Sequence, residues 1–276
     1  MSAVTEISAT IPPPAGRRGA ALGRLTLTEL KLMGRERSRF FVRLAVPLVL
    51  LVIFGAIPFY TQKRASLDGY TLLDAYVPIL IAYALAMLAL TSLPMVLADY
   101  RERGVLRRLQ TTPAGPVRVL VAQFVAYAAV IALMVLLILA VARVGYGVVF
   151  PRQVAGFIVA ALLGAVGVLS IGLLIAAAAP SAQTAQSIGM ILLFPMMFFA
   201  GLFFPIPVMP SFLRHLSHAT PLGATVQALQ DAWLGHWPHP LQLITMAAWA
   251  VGCAVAAALL FRWELTLRPW RKRRVS

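Results

Sequence analysis

The chain has 276 residues, 61% of them hydrophobic and only 12% charged, with a mean hydropathy of +0.85. An ordinary soluble domain carries roughly twice that charged share, about 25%, so a soluble fold would be left with almost nothing polar to face water, whereas a bilayer lets apolar side chains cover the outside. The net charge of +15 comes from 24 Lys+Arg against 9 Asp+Glu, placed in short segments between long apolar runs; that pattern fits an anionic membrane surface and excludes a folded basic module for nucleic acid.

The first segment, residues 1–21, is a Pro- and Gly-rich arm containing Ile11-Pro12-Pro13-Pro14-Ala15-Gly16 and reads as disordered and cytoplasmic. It has no apolar h-region, so it does not read as a signal peptide. Between residues 22 and 40, Leu22, Leu25, Leu32 and Met33 share a face among Arg and Lys, which predicts a helix lying in the cytoplasmic interface. Six apolar stretches then meet the length of about 20 residues that a membrane-crossing helix needs. They cover residues 40–60, 75–98, 118–142, 154–179, 187–204 and 241–262, the fifth interrupted by Pro195. The expected fold class is therefore an all-α membrane protein with a six-span domain over residues 22–262, followed by a basic cytoplasmic tail over 263–276.

Loop charges give the orientation. Seven Lys or Arg precede the first span, four follow the second and five lie in the tail, against five on the other side (Lys63, Arg64, Arg143, Arg152 and Arg214). The excess places both termini in the cytoplasm.

Several chemistries lack their residues. The three lysines, Lys31, Lys63 and Lys272, do not follow glycine, so no phosphate-binding G-x-x-x-x-G-K-[ST] loop exists. No Asp, Glu or Lys lies inside the six apolar runs, which argues against a proton- or sodium-coupled carrier. Cys253 is the one cysteine, so neither an intrachain disulfide nor a thiol metal cluster is available. The pairs His215/His218 and His236/His239 have metal-ligand spacing, but neither has an acidic or cysteine companion, and they read as interfacial polar residues. No catalytic residue, cofactor site or metal site is expected in this chain.

Two segments carry a positive signal. After span two comes Arg101-Glu102-Arg103-Gly104-Val105-Leu106-Arg107-Arg108-Leu109, in which Val105, Leu106 and Leu109 share one helical face flanked by arginines. Such a segment suits a groove on a cytoplasmic partner, although on composition alone an ordinary positive-inside loop that anchors topology is the better reading. Before the last span comes Phe198-Phe199-Ala200-Gly201-Leu202-Phe203-Phe204-Pro205, then a predicted short helix with Phe212, Leu213 and Leu216 on one side. A second short helix is predicted from Thr220-Pro221, an N-cap followed by Pro at N1, with Leu222, Val226, Leu229 and Trp233 as its stripe. So much apolar surface predicts two half-helices dipping into the outer leaflet.

Together these segments resemble the type 2 ABC transporter permease family, especially its daunorubicin-type drug-resistance branch. The family's E-R-G-x-L-R-R-L and T-P patterns correspond to Glu102–Leu109 and Thr112-Pro113, and its G-x-F-F-P-x-x-x-x-P and P-L patterns to Gly201, Phe203, Phe204, Pro205, Pro210 and Pro221-Leu222. The position often Thr in the family is Val105 here. The resemblance spans about residues 25–262 and implies a role for each segment. Arg101, Glu102, Arg103, Gly104, Leu106, Arg107, Arg108 and Leu109 would couple to a separate ABC ATPase that binds ATP and Mg, with residues 180–186 as a smaller second contact. A second permease copy or paralogue would complete a homo- or heterodimer in the lipid of a bacterial inner membrane. Phe198, Phe199, Gly201, Phe203, Phe204 and Pro205 would form the outer gate for a small-molecule substrate. The nearby Phe194, Met196 and Met197 suit an adaptable apolar substrate and equally suit packing against lipid. Spans poor in polar residues favour a drug, antibiotic or lipid over a polysaccharide or glycolipid. A non-transporting membrane scaffold shares the topology; an integral membrane enzyme would need a His near Asp99 and Glu102, and none is close in sequence.

Overall fold

The computed structural model describes residues 37–63, 70–105, 115–204, 206 and 209–264. Within them the chain is helical, with one isolated antiparallel bridge between Lys63 and Thr71. The helices are α1 (Arg37–Ala56), α2 (Pro58–Thr61), α3 (Leu72–Met87), α4 (Leu93–Glu102), α5 (Gly115–Tyr146), α6 (Val154–Ala178), α7 (Ala182–Phe199), α8 (Ser211–Ala219), α9 (Pro221–Leu234) and α10 (Pro240–Glu264). A π-helical turn, Leu88–Ser92, joins α3 to α4 into one rod.

Among the described residues, five helices are long and apolar enough to cross a bilayer: the α3–α4 rod, α5, α6, α7 and α10. The protein is a multi-pass membrane protein. The first expected span corresponds to α1, a 20-residue helix whose described apolar part is the shorter Ala45–Ala56. The expected interfacial helix lies outside the described residues as far as Glu36, as does the basic tail beyond Glu264.

The α3–α4 rod is the centre of the bundle. Of its apolar window 78% is buried, against 22% for α10, which presents Ile244, Val251, Val255 and Leu259 outward as a lipid-facing helix does. The rod packs against α1, α5, α6, α7 and α9. Its N-terminal end starts with a capping box: the Thr71 side chain accepts from the Asp74 N–H, and the Asp74 carboxylate accepts from the Thr71 N–H and hydroxyl. The other oxygen of the buried Asp74 accepts from the Val149 N–H at 2.9 Å, fastening the rod to the segment after α5. At the same end α1 meets α5 through the Tyr146 hydroxyl, which donates to the Val52 carbonyl.

Two expected boundaries move. The fifth span was expected over 187–204; α7 instead runs Ala182–Phe199. It starts early because Ser181 caps it, accepting from the Thr184 N–H, so the polar residues Gln183, Thr184 and Gln186 form helical turns and the expected loop 180–186 shrinks to its first residues. It stops early because Gly201 takes a left-handed φ of +87°: the Leu202 N–H reaches the Met197 carbonyl and the Gly201 N–H the Phe198 carbonyl, which is a Schellman cap. Pro195 does not interrupt the helix.

The two short helices before the last span are present as α8 and α9. Thr220 caps α9 by accepting from the Gly223 N–H, with Pro221 behind it. Leu222, Val226, Leu229 and Trp233 are all buried, but against protein: α9 is enclosed by α3, α6 and α10. Exposed apolar surface of the expected kind lies on α8, where Phe212 and Leu216 face outward, at Phe203 and Phe204 before it, and at Leu234, the last residue of α9.

Candidate functional site

At the C-terminal end of the rod, three consecutive residues of α4 reach three different helices. Successive side chains on a helix turn by about 100°, so neighbours in sequence address different partners. The Tyr100 hydroxyl accepts from Gln123 of α5 at 3.3 Å. The Arg101 guanidinium donates to the carbonyls of Ala176 and Ala177, both at 3.1 Å, and to that of Ala179. The Glu102 carboxylate accepts from the Ala182 N–H at 2.9 Å.

The arrangement follows from helix electrostatics. Ala176, Ala177 and Ala179 end α6, where carbonyls lack intrahelical donors and the helix pole is negative; Ala182 begins α7, where N–H groups are unsatisfied and the pole is positive. Arg101 therefore sits on a negative pole and Glu102 on a positive one, across the turn of Ala179, Pro180 and Ser181. Hydrogen bonds to charged groups contribute about 1.5–3 kcal/mol each, less where they are solvated as at the exposed Glu102. The next residues point elsewhere. The Arg103 side chain is 73% exposed and pairs with Asp99 at 2.8 Å, and Gly104 ends the helix with a φ of +67°.

Of the eight expected coupling residues, then, Arg101 and Glu102 have partners within the chain, Arg103 faces outward and Gly104 makes the turn. Leu106, Arg107, Arg108 and Leu109 lie outside the described residues. The structure also brings the two expected contact segments together, since residues 101–102 hold the turn at 180–182.

Higher in the rod the π turn leaves two carbonyls facing neighbours. Pro94 has no N–H to offer Leu90 four residues back or Ala89 five residues back, and the Leu93 N–H is taken by Leu88. A Cβ added at Gly172 of α6 would overlap the Ala89 carbonyl oxygen, and one added at Gly189 of α7 would overlap that of Leu90. Glycine at these two positions lets three backbones meet, as small residues do between membrane helices. Sequence reasoning passed over this contact; Pro94 inside an apolar run was its signal.

At the other end of α7, Phe198 stacks edge-on against Phe199 at 5.5 Å and Phe204 at 6.2 Å. Phe203 and Phe204 are exposed past the cap at Gly201, while Met196 and Met197 are buried and Phe194 faces outward. Pro205 lies outside the described residues. The buried Ser217 hydroxyl of α8 donates to the Phe199 carbonyl at 2.5 Å, and the Trp249 indole N–H of α10 donates to the Ala219 carbonyl. His218, beside Ser217, has its pKa lowered by burial first and then by His215 and Arg214. His218 and His239 border a shallow depression with Leu241 and Gln242, and no group of three potential metal ligands occurs among the described residues.

Residues 21–234 match the ABC-2 type transporter membrane family. The chain belongs to the ABC-2 type transporter family. No curated protein matches it. As an ABC-2 type membrane domain it is a permease subunit of an ABC transporter. The match takes in α1 to α9 and both segments described above, and ends where α9 does, at Leu234.

Proposed function

We propose that the chain is the permease subunit of an ATP-driven exporter of an apolar or amphiphilic compound, a drug, antibiotic or lipid. A separate ABC ATPase binds ATP and Mg and hydrolyses ATP; this chain contributes no catalytic residue, and the assembled complex is the ATP-hydrolysing translocase. A second copy or paralogue completes the membrane dimer. Both termini face the cytoplasm, across the inner membrane of a bacterium, and the product is efflux of the kind that underlies drug resistance.

The observation that carries this reading is the Glu102–Ala182 bond together with the three carbonyls held by Arg101. It joins the family's coupling segment to the α6–α7 turn, giving one compact surface for an ATPase to press on. The substrate class is supported by how the buried hydroxyls are spent. Thr91, Ser170 and Thr225 each donate to a carbonyl of their own helix, at Met87, Val166 and Pro221, which leaves little polar lining for a sugar chain.

The test is co-purification with an ABC ATPase encoded beside this chain. Leu106→Asp places an unpaired charge in the expected contact and should lose the ATPase at unchanged membrane abundance. An ATPase that stays bound, with hydrolysis unaffected, would favour a non-transporting membrane scaffold.

A further inference from the structure

Aromatic side chains gather at the end of the bundle where the α3–α4 rod starts. Phe54 of α1, Tyr60 of α2 and Tyr76 of α3 pack pairwise with ring centres 5.0 to 5.4 Å apart, and the Tyr146 ring of α5 lies against Gly55. Trp237, in the nearby connection from α9 to α10, is exposed. Amphipathic rings collect where hydrocarbon gives way to headgroups, so this level marks one face of the bilayer.

The connection from α5 to α6 runs through that level. Gly147 closes α5 with a φ of +68°, Val148 turns inward, and the Val149 N–H is fastened by Asp74. Around it Val144, Val149, Phe150 and Val154 are exposed, Val144 by 87%. In a membrane protein such side chains are covered by acyl chains.

Two arginines border this apolar skirt, and each rests on a ring. The Arg143 Cζ lies 5.8 Å from the centre of the Phe150 ring, and the Arg152 Cζ lies 5.3 Å from that of Tyr70. An aromatic face attracts a guanidinium and fixes where it sits. Arg143 spends one of its N–H donors on the Val148 carbonyl at 3.3 Å, and the main-chain N–H of Arg152 donates to the Trp233 carbonyl. Neither guanidinium meets a carboxylate among the described residues, where the one ion pair is Arg103 with Asp99. The buried Asp74, which also reaches this connection, has its oxygens taken by Thr71 and Val149. The hydroxyl of Tyr70 is itself buried without a partner, so the ground under Arg152 holds a second group in want of one.

We propose that the α5–α6 connection is a binding site for an anionic phospholipid: Arg143 and Arg152 hold its phosphate, and Val144, Val149, Phe150 and Val154 take the first carbons of its acyl chains. A guanidinium fork matches the oxygens of a phosphate, and the contiguous apolar skirt is what selects a lipid over a free anion. The positive charge selects phosphatidylglycerol over phosphatidylcholine, whose own ammonium is repelled. The proposal needs only that the chain spans a membrane, and holds whatever the permease moves.

Native mass spectrometry of the full chain in an uncharged detergent reads the binding as lipid adducts, with phosphatidylglycerol or phosphatidylcholine added at equal concentration. Phosphatidylglycerol should bind about fivefold tighter or more, the attraction of roughly one arginine for an anionic headgroup. Arg143→Gln and Arg152→Gln should each lower that affinity by about fivefold, and the double variant should reduce it to the level of phosphatidylcholine. Arg214→Gln, which removes the same charge from an exposed position on α8, should change nothing. Because Arg143 also donates to Val148, unfolding midpoints accompany each variant, and Phe150→Leu gives a second route to the same answer: it keeps the apolar bulk, removes the ring beside Arg143, and should weaken phosphatidylglycerol by about two- to fivefold.

Equal affinity for the two lipids overturns the proposal. So do arginine variants that bind phosphatidylglycerol as the wild type does, or a loss as large from Arg214→Gln, which would make the preference a matter of overall charge. Inorganic phosphate is the last arm: if it displaces phosphatidylglycerol at equal concentration, the arginines form a site for a soluble anion and the lipid site falls.

Discussion

Gly189 of α7 lies against the carbonyl of Leu90 so closely that no side chain fits between them. Gly172 of α6 stands in the same relation to Ala89. Both obstacles are backbone atoms, which cannot rotate away as a side-chain tip can. Gly189→Ala and Gly172→Ala should therefore each cost about 1–3 kcal/mol or more, by forcing the helices apart. Gly252 of α10 is the control, with nothing near the position its Cβ would take. Gly252→Ala should be neutral or stabilise by up to about 1 kcal/mol through helix propensity. Thermal unfolding of the detergent-solubilised protein checks all three.

Asp74 holds the N-terminal end of the rod through four hydrogen bonds that count it as partner. Asp74→Ala removes the acceptor of Thr71 and of the Val149 N–H in a buried setting, and should destabilise by about 2–3 kcal/mol. Asp74→Asn keeps one acceptor and should lose less. The comparison is again of unfolding midpoints, with Thr71→Val expected to lower the midpoint in the same direction.

Ser217 is fully buried and its hydroxyl satisfies the carbonyl of Phe199 in the last turn of α7. Ser217→Ala should free that turn at a cost of about 1–3 kcal/mol. The effect should be local. Amide hydrogen exchange should quicken over residues 197–204 and 217–220 and stay unchanged in α5.

His218 gives a pH dependence. Its folded pKa lies below the ordinary value of about 6.5, so below that pH the unfolded chain binds more protons at this site than the folded one. Stability should be level in this contribution above about pH 6.5 and fall as the pH drops through the window beneath it. His218→Gln should flatten that fall when unfolding midpoints are followed from about pH 7.5 to 5.5, and the difference from wild type separates His218 from the other histidines.

How far the sequence reveals this structure depends on the element. Apolar runs locate the membrane-capable helices because lipid-facing residues must be apolar whatever the helix packs on, and Thr220-Pro221 marks the start of α9 because a cap and a first-turn proline are local chemistry. The start of α7 is hidden from hydropathy, since Gln183, Thr184 and Gln186 read as loop although they are helical behind the Ser181 cap. Its end is hidden for the opposite reason: Leu202, Phe203 and Phe204 continue the apolar run past a stop set by the backbone of Gly201. Thr71-Leu72-Leu73-Asp74 does spell a capping box and places the start of the rod three residues before the apolar run. The pairing of Glu102 with Ala182 joins residues 80 apart and leaves no local mark, because any N–H at a helix start is an equal partner.

The π turn has a consequence for descent. A π turn spends one more residue than the α-helical turn it replaces, so Leu88–Ser92 corresponds to a single inserted residue in an otherwise regular span. Removing one residue there and replacing Pro94 by a residue with an N–H would let the ladder close, withdraw the two projecting carbonyls and leave the rod's ends in their former phase. Among related permeases, chains one residue shorter in this span and without the proline should have no requirement for glycine opposite, and alanine should stand where this chain has Gly172 and Gly189. Length and glycine would then be inherited as one character, and an alignment that slides a gap away from this turn would hide both.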